Sequence, residues 1–149
     1  MASRRRTDVA YEAEVLEELG RLRSRLPGVT GVIAAGVDGL VLAEDAPGVE
    51  PEGIAALVAA ALGVALRLVD VTGRRAFREL LIRGEDGYVG VYAAGASRVL
   101  AVLAEPRINV GRLHLEARRC GSALAAPRGA VRPAPAARPV QPASGRPDV

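Results

Sequence analysis

Apolar positions recur along this chain with two different periods, and the switches between them mark eight elements. Val15, Leu19, Leu22 and Leu26 fall at i, i+4, i+7 and i+11, which predicts one stripe of a helix from about Val9 to Leu26. Glu12, Glu14, Glu17 and Glu18 fill its first half and Arg21, Arg23 and Arg25 its second, the order that a helix dipole favours. Asp8 is the expected N-cap, and Pro27-Gly28 ends the helix. Val29–Ala35 and Leu40–Glu44 read as two strands around Gly36-Val37-Asp38-Gly39, a hairpin signal. A long helix is expected over Glu50–Val71, closed by Thr72-Gly73 with Gly73 as C-terminal cap. Three further strands follow over Arg75–Arg83, Tyr88–Ala94 and Arg98–Ala104, joined by short Gly-bearing turns as an antiparallel meander. Asn109 then caps a last helix striped by Val110, Leu113, Ala117, Cys120 and Leu124.

The helix over Glu50–Val71 departs from the surface-helix pattern. Ile54, Leu57, Val58, Ala61, Ala65, Leu68 and Val69 read as its core face. The opposite side carries Ala56, Ala59, Ala60 and Gly63, with Arg67 and Asp70 only near the end. A helix apolar all round must be covered all round. The last strand, and much of the first, is apolar on both alternations, so the sheet is buried on both faces. The fold class expected is α/β (α+β), a three-layer sandwich with a five-stranded antiparallel sheet in the order α-β-β-α-β-β-β-α. The first and last helices form one layer and the central helix alone forms the other. That lone helix with a small-residue back is the physical case for a homodimer, because Ala and Gly let two helices approach closely.

Charge divides the chain. All twenty basic residues are Arg, which removes Lys chemistry such as a Walker A loop or a Schiff base. Arg4, Arg5 and Arg6 make residues 1–8 a basic disordered arm in this reading. Residues 127–149, with six Pro and four Arg, read as a disordered tail that either serves as a plain linker or engages an anionic membrane or acidic partner. The body, residues 9–126, is then mildly acidic, and together with the scarcity of aromatics this argues against nucleic acid. One cysteine excludes an internal disulfide and points to a reducing, cytoplasmic setting. The acidic residues that follow the first arginines argue against a signal peptide. The apolar run Ile54–Leu66 is thirteen residues, short for a bilayer span, so no transmembrane segment is expected.

Catalytic chemistry finds little footing. His114 is the sole histidine and reads as a partly exposed structural residue. Cys120 lies beside Arg118 and Arg119 but has no base partner, and reads as a small packing residue. One His and one Cys do not make a zinc site, and Glu85-Asp86-Gly87 lacks the other ligands of a calcium loop. No enzyme activity, metal or cofactor is expected. Arg74, Arg75, Arg78 and Arg83 are weighed as an arginine finger against a charged, solvated edge strand, and the edge-strand reading is the stronger.

Three stretches, LPGVTGVIAAGVDGLVLAED, the apolar central helix and LAEPRINVGRLHLEARRC, in this order and spacing, resemble the Roadblock (dynein light chain roadblock) family, in the bacterial branch that accompanies small Ras-like GTPases. The resemblance covers about Val9 to Ala126. It implies a homodimer in which the central helices pack antiparallel and the third strands pair across the two-fold. On this chain the contact falls on Ala56, Ala60, Gly63, Val64 and Arg67, with Phe77 and Glu79 near the paired edge. It implies a regulator or scaffold binding a small GTPase, either stimulating hydrolysis as a GTPase-activating protein or only scaffolding, with Arg74, Arg75 and Arg78 as candidate GTPase contacts. A sensor-kinase-like protein is a further implied partner, in bacterial signalling or polarity. The competing reading is a sensory or ligand-binding domain, since profilin-like and longin-like folds share this architecture.

Overall fold

The computed structural model describes residues 2–125. The tail expected over 127–149 lies outside them. The elements are α1 (Ala2–Arg25), β1 (Val29–Gly36), β2 (Val41–Asp45), α2 (Pro51–Val71), β3 (Leu80–Gly84), β4 (Gly87–Ala93), β5 (Arg98–Ala104) and α3 (Val110–Ala125), the expected order. The five strands form one sheet in the order β2-β1-β5-β4-β3, with antiparallel pairing throughout. The β1–β2 hairpin joins the β3–β4–β5 meander through β1 and β5, where Val32 lies opposite Val102 and Ala34 opposite Leu100.

Alternation along the central strands separates two cores. Val32, Ala34, Tyr92, Leu100 and Val102 face α1 and α3 and meet Val15, Leu19, Leu22, Leu113, Ala117 and Leu124. Ile33, Ala35, Val91, Val99 and Ala101 face α2 and meet Ala55, Val58 and Leu62. The turn after β1 fits under α2. Gly39 has φ +85°, and a Cβ there would stand 3.2 Å from the Ala56 backbone, so the hairpin tip needs glycine for both its conformation and its clearance.

Local chemistry explains the helix ends. Asn109 Oδ1 accepts from the Arg112 amide at 3.0 Å, as an N-cap does. At the end of α2, the Gly73 amide donates to Asp70 O and the Arg74 amide to Val69 O, with Gly73 at φ +66°, a Schellman termination. Two boundaries and one helix face differ from expectation. α1 begins at Ala2 rather than Val9, because nothing between Ala2 and Asp8 breaks a helix, and the segment read as an arm continues it. β3 begins at Leu80 rather than Arg75, because the Schellman turn and Arg75 at φ 74° redirect the chain before pairing with β4 begins at Leu80 opposite Val91. The core face of α2 is also rotated from the expected one. Ala55, Val58, Leu62 and Ala65 are buried, whereas Leu57 and Leu68 are 74% and 57% exposed. By length and composition alone α2 could cross a membrane, but it lies across β1, β2, β4 and β5 with Ala55, Val58, Leu62 and Ala65 against the sheet.

Candidate functional site

Because α2 is apolar nearly all round, whatever the sheet leaves uncovered is an apolar surface. Leu57, Ala61, Val64, Leu68 and Val71 follow i, i+4, i+7, i+11 and i+14 along the flank that looks toward β3. Val64 and Val71 are 62% and 60% exposed. Between this flank and the sheet runs an open groove of about 250 Å³, lined by Ile54, Leu57, Val58 and Ala61 of α2, Ile82 of β3, Val89 and Val91 of β4, and Leu103 of β5. Every lining side chain is apolar, so the groove has no group to orient a polar ligand. Its outer wall, β3, is an edge strand paired only with β4, and Ile82 on it is exposed.

The structure brings most of the expected contact residues together. Ala56, Ala60, Gly63 and Arg67 are exposed on the side of α2 away from the sheet, and Val64 lies at the border of the apolar flank. Arg67 pairs with Asp70 at 3.4 Å, both largely exposed, a pair of little energetic weight. Phe77 and Glu79 stand apart from this outward set. Phe77 is half-buried in the core beneath α2, and Glu79 turns to the other face of the sheet, where its Oε1 lies 3.7 Å from His114 Nε2. Leu57, Leu68, Val71 and Ile82 join the surface without having been singled out for it. In a helix without a polar side, no sequence signal marks which leucine faces outward.

The segment from the end of α2 to β3 carries the candidate arginines. Arg74, Arg75 and Arg78 are all exposed. Arg75 is the one non-glycine residue among those described with positive φ, at 74°, a conformation costly for a side-chain-bearing residue. The three guanidinium groups thus stand on a short connector at the margin of the apolar surface.

Cys120 is buried, with its Sγ 3.8 Å from the Glu18 carbonyl. Burial, reinforced by the Glu18 charge, pushes its thiol up from 9.0 to about 12. The folded state therefore keeps the thiol protonated. The stability this contributes is full below about pH 9 and is lost as pH rises from 9.0 toward about 12. Cys120 in native protein should stay unlabelled by iodoacetamide at pH 8 over hours and be labelled fully in urea; rapid native labelling would contradict the burial. Among the described residues no group of three or more His, Cys, Asp or Glu side chains comes together to hold a metal.

Comparisons with known proteins agree with this architecture. The model of the Roadblock/LC7 domain matches residues 15–104. An uncharacterized protein of Methanocaldococcus jannaschii is 33% identical over 104 residues, covering 69% of this chain and 87% of that protein. Among solved structures, the gliding protein MglB of Thermus thermophilus is 25% identical, with a TM-score of 0.70 over 78% of this chain and 89% of that one. An MglB described with a tetrameric arrangement is also 25% identical, with a TM-score of 0.71 over 78% and 88%.

Proposed function

The chain belongs to the Roadblock/LC7 family, and from that premise we propose that it is a homodimeric, non-catalytic regulator or scaffold that binds a small Ras-like GTPase. One observation carries the dimer: an exposed apolar flank on α2 runs beside an apolar groove and a free strand edge on the same side of the molecule. A second copy related by a two-fold axis offers both a matching helix and a matching edge. The flank residues Leu57, Val64 and Leu68, with the small residues Ala56, Ala60 and Gly63 and with Arg67 beside them, are the proposed contact on α2. Phe77 and Glu79 frame the β3 edge from within each copy. Each buried Leu or Val side chain is worth about 1.5–3 kcal/mol, so the three on each partner together favour association.

The GTPase-binding surface is then composite, made by the two α2 helices and the two connectors, with Arg74, Arg75 and Arg78 as its charged contacts. No catalytic residue is required, since a regulator can act by holding the GTPase's own loops in place. The same reading places the protein in the cytoplasm, in bacterial signalling or polarity, with a sensor-kinase-like protein as a further partner. The family itself reaches archaea, as the Methanocaldococcus relative indicates.

The test is co-purification with a co-encoded GTPase loaded with GDP or with a non-hydrolysable GTP analogue, with hydrolysis rates measured alongside. One nucleotide state should bind at least about tenfold tighter, 1.4 kcal/mol of differential affinity. Replacing Arg74, Arg75 and Arg78 by Ala should weaken binding without changing the mass of the free protein. No nucleotide-dependent binding to any co-encoded GTPase would sink the proposal.

A further inference from the structure

The sole histidine sits in a chain of polar contacts that the proposed function does not use. On α3, His114 Nδ1 lies 2.9 Å from the hydroxyl of Tyr92, whose side chain is almost wholly buried on β4. On its other side, Nε2 lies 3.7 Å from Oε1 of Glu79, in the last residue before β3. The side chains of His114 and Glu79 are only 17% and 23% exposed. The second carboxylate oxygen, Glu79 Oε2, is buried with no hydrogen-bond partner.

These contacts define two states. A carboxylate only accepts, so neutral His114 carries its hydrogen on Nε2 toward Glu79, and Nδ1 accepts from the Tyr92 hydroxyl. At 3.7 Å the Glu79 contact is too long for a good hydrogen bond, and a neutral ring holds it weakly. A protonated ring places a full positive charge beside a half-buried carboxylate that lacks other donors, and the attraction tightens the contact. Tyr92 serves either state by turning its hydroxyl hydrogen. Burial first, and then the Glu79 charge, push that hydroxyl above the ordinary tyrosine range, with Arg118 opposing, so Tyr92 stays neutral. Leu81 of β3 and Tyr88 of β4 pack against the same layer. Arg118 lies on the same helix and donates to the His114 carbonyl at 3.2 Å. β5 presents Leu100 and Val102 to this face, and α1 presents Val15, Leu19 and Leu22, with Glu18 farther along at Cys120.

We propose that His114 and Glu79 form a proton-controlled anchor for the connector between α2 and β3: protonated His114 clamps Glu79 and orders residues 73–79, and neutral His114 releases them. The connector has two inward attachments, Phe77 into the core beneath α2 and Glu79 to His114; Arg78 is exposed between them, and Arg74 and Arg75 are exposed just before Phe77. Loosening Glu79 leaves only the backbone bonds at Gly73 and Arg74 and the Phe77 side chain to set the arginines and the lead-in to the β3 edge. His114 and Glu79 are thus positioning residues; that the arginines they position meet a partner rests on the function proposed above.

Hydrogen exchange on the full-length protein tests the anchor without any partner. Protection factors are corrected for the intrinsic pH dependence of exchange, and α2 amides serve as the internal reference. As pH falls from 8 to 6, across the range where histidine ordinarily titrates, protection over residues 74–79 should rise roughly two- to fivefold, the reach of a partly exposed ion pair. The rise should vanish in Glu79→Gln and in His114→Gln, two substitutions that keep hydrogen bonding but remove the charge pair. A flat wild-type profile, or a slope that survives in Glu79→Gln, overturns the anchor. A slope in a protein that binds no GTPase overturns the partner reading alone, and a GTPase-binding protein without a slope overturns the anchor alone.

Discussion

Replacing Val64 and Leu68 together by Glu should convert a particle of twice the 15.4 kDa chain mass into a single chain at micromolar concentration. Both side chains are more than half exposed on the isolated chain, so glutamate at either position meets water and leaves the fold intact. In the proposed dimer the same positions face another copy, and a two-fold axis makes each substitution count twice. Burying an unpaired carboxylate in an apolar contact costs several kcal/mol. Even about 3 kcal/mol weakens dimerisation more than a hundredfold. Light scattering after size-exclusion chromatography reads the mass, and far-UV circular dichroism shows whether helix content is retained. A wild-type protein of single-chain mass, or a double variant that keeps the wild-type mass, would refute the proposed interface.

Leu100→Ala should cost about 3 kcal/mol of folding stability, within the 2–5 kcal/mol seen for large-to-small changes in packed cores. Leu100 is fully buried on β5, the central strand, between Ala34 of β1 and Tyr92 of β4. Around it the layer under α1 and α3 is built partly from Ala34, Ala94 and Ala117, side chains too short to reach into the space left behind. The sheet register holds the strand in place on both sides, so the cavity cannot close by backbone movement. For a domain of this size the loss lowers Tm by about 10 °C. Leu16→Ala on α1, where Leu16 is half exposed, is the matched control and should change stability by no more than about 0.5 kcal/mol. Both should be compared at one protein concentration, because a dimer's stability depends on it. A loss below about 1 kcal/mol at Leu100 would mean that this layer is not packed as described.

The fold was legible wherever one local rule and one pattern agreed. The stripe Val15, Leu19, Leu22 and Leu26 is buried as its spacing requires, and so are Leu113, Ala117, Cys120 and Leu124 on α3. Asn109 and Gly73 cap their helices because their side-chain chemistry and backbone freedom suit those positions wherever the helices lie. The two-sided apolar character of Val99–Ala104 correctly implied helices on both faces of the sheet. Boundaries failed where nothing local marks them. No residue between Ala2 and Asp8 distinguishes a helix from an arm, and Arg75–Glu79 has the composition of a strand until the left-handed Arg75 turns the chain.

The candidate site was legible in its existence but not in its detail. An apolar helix with too little cover announced an exposed apolar surface, and α2 carries one. Which residues make that surface depended on the rotation of α2 about its axis. Periodicity cannot determine that rotation when nearly every position is apolar, because several stripes satisfy the spacing equally well. Glu79 shows the same limit. Counting along a strand places it at an edge, and only the folded chain turns it across the sheet to His114, 35 residues away.

Sequence alone therefore determined the element order, the helix ends at Gly73 and Asn109, the two-faced sheet and the apolar character of α2 all round, since each follows from spacing and residue type over short range. The tertiary structure decided the rest. It set the small residues Ala55 and Ala65 with Val58 and Leu62 against the sheet, because close backbone approach gains more contact than burying the larger Leu57 and Leu68 at a distance. It thereby left those leucines, the groove beneath them and the β3 edge on one side of the molecule.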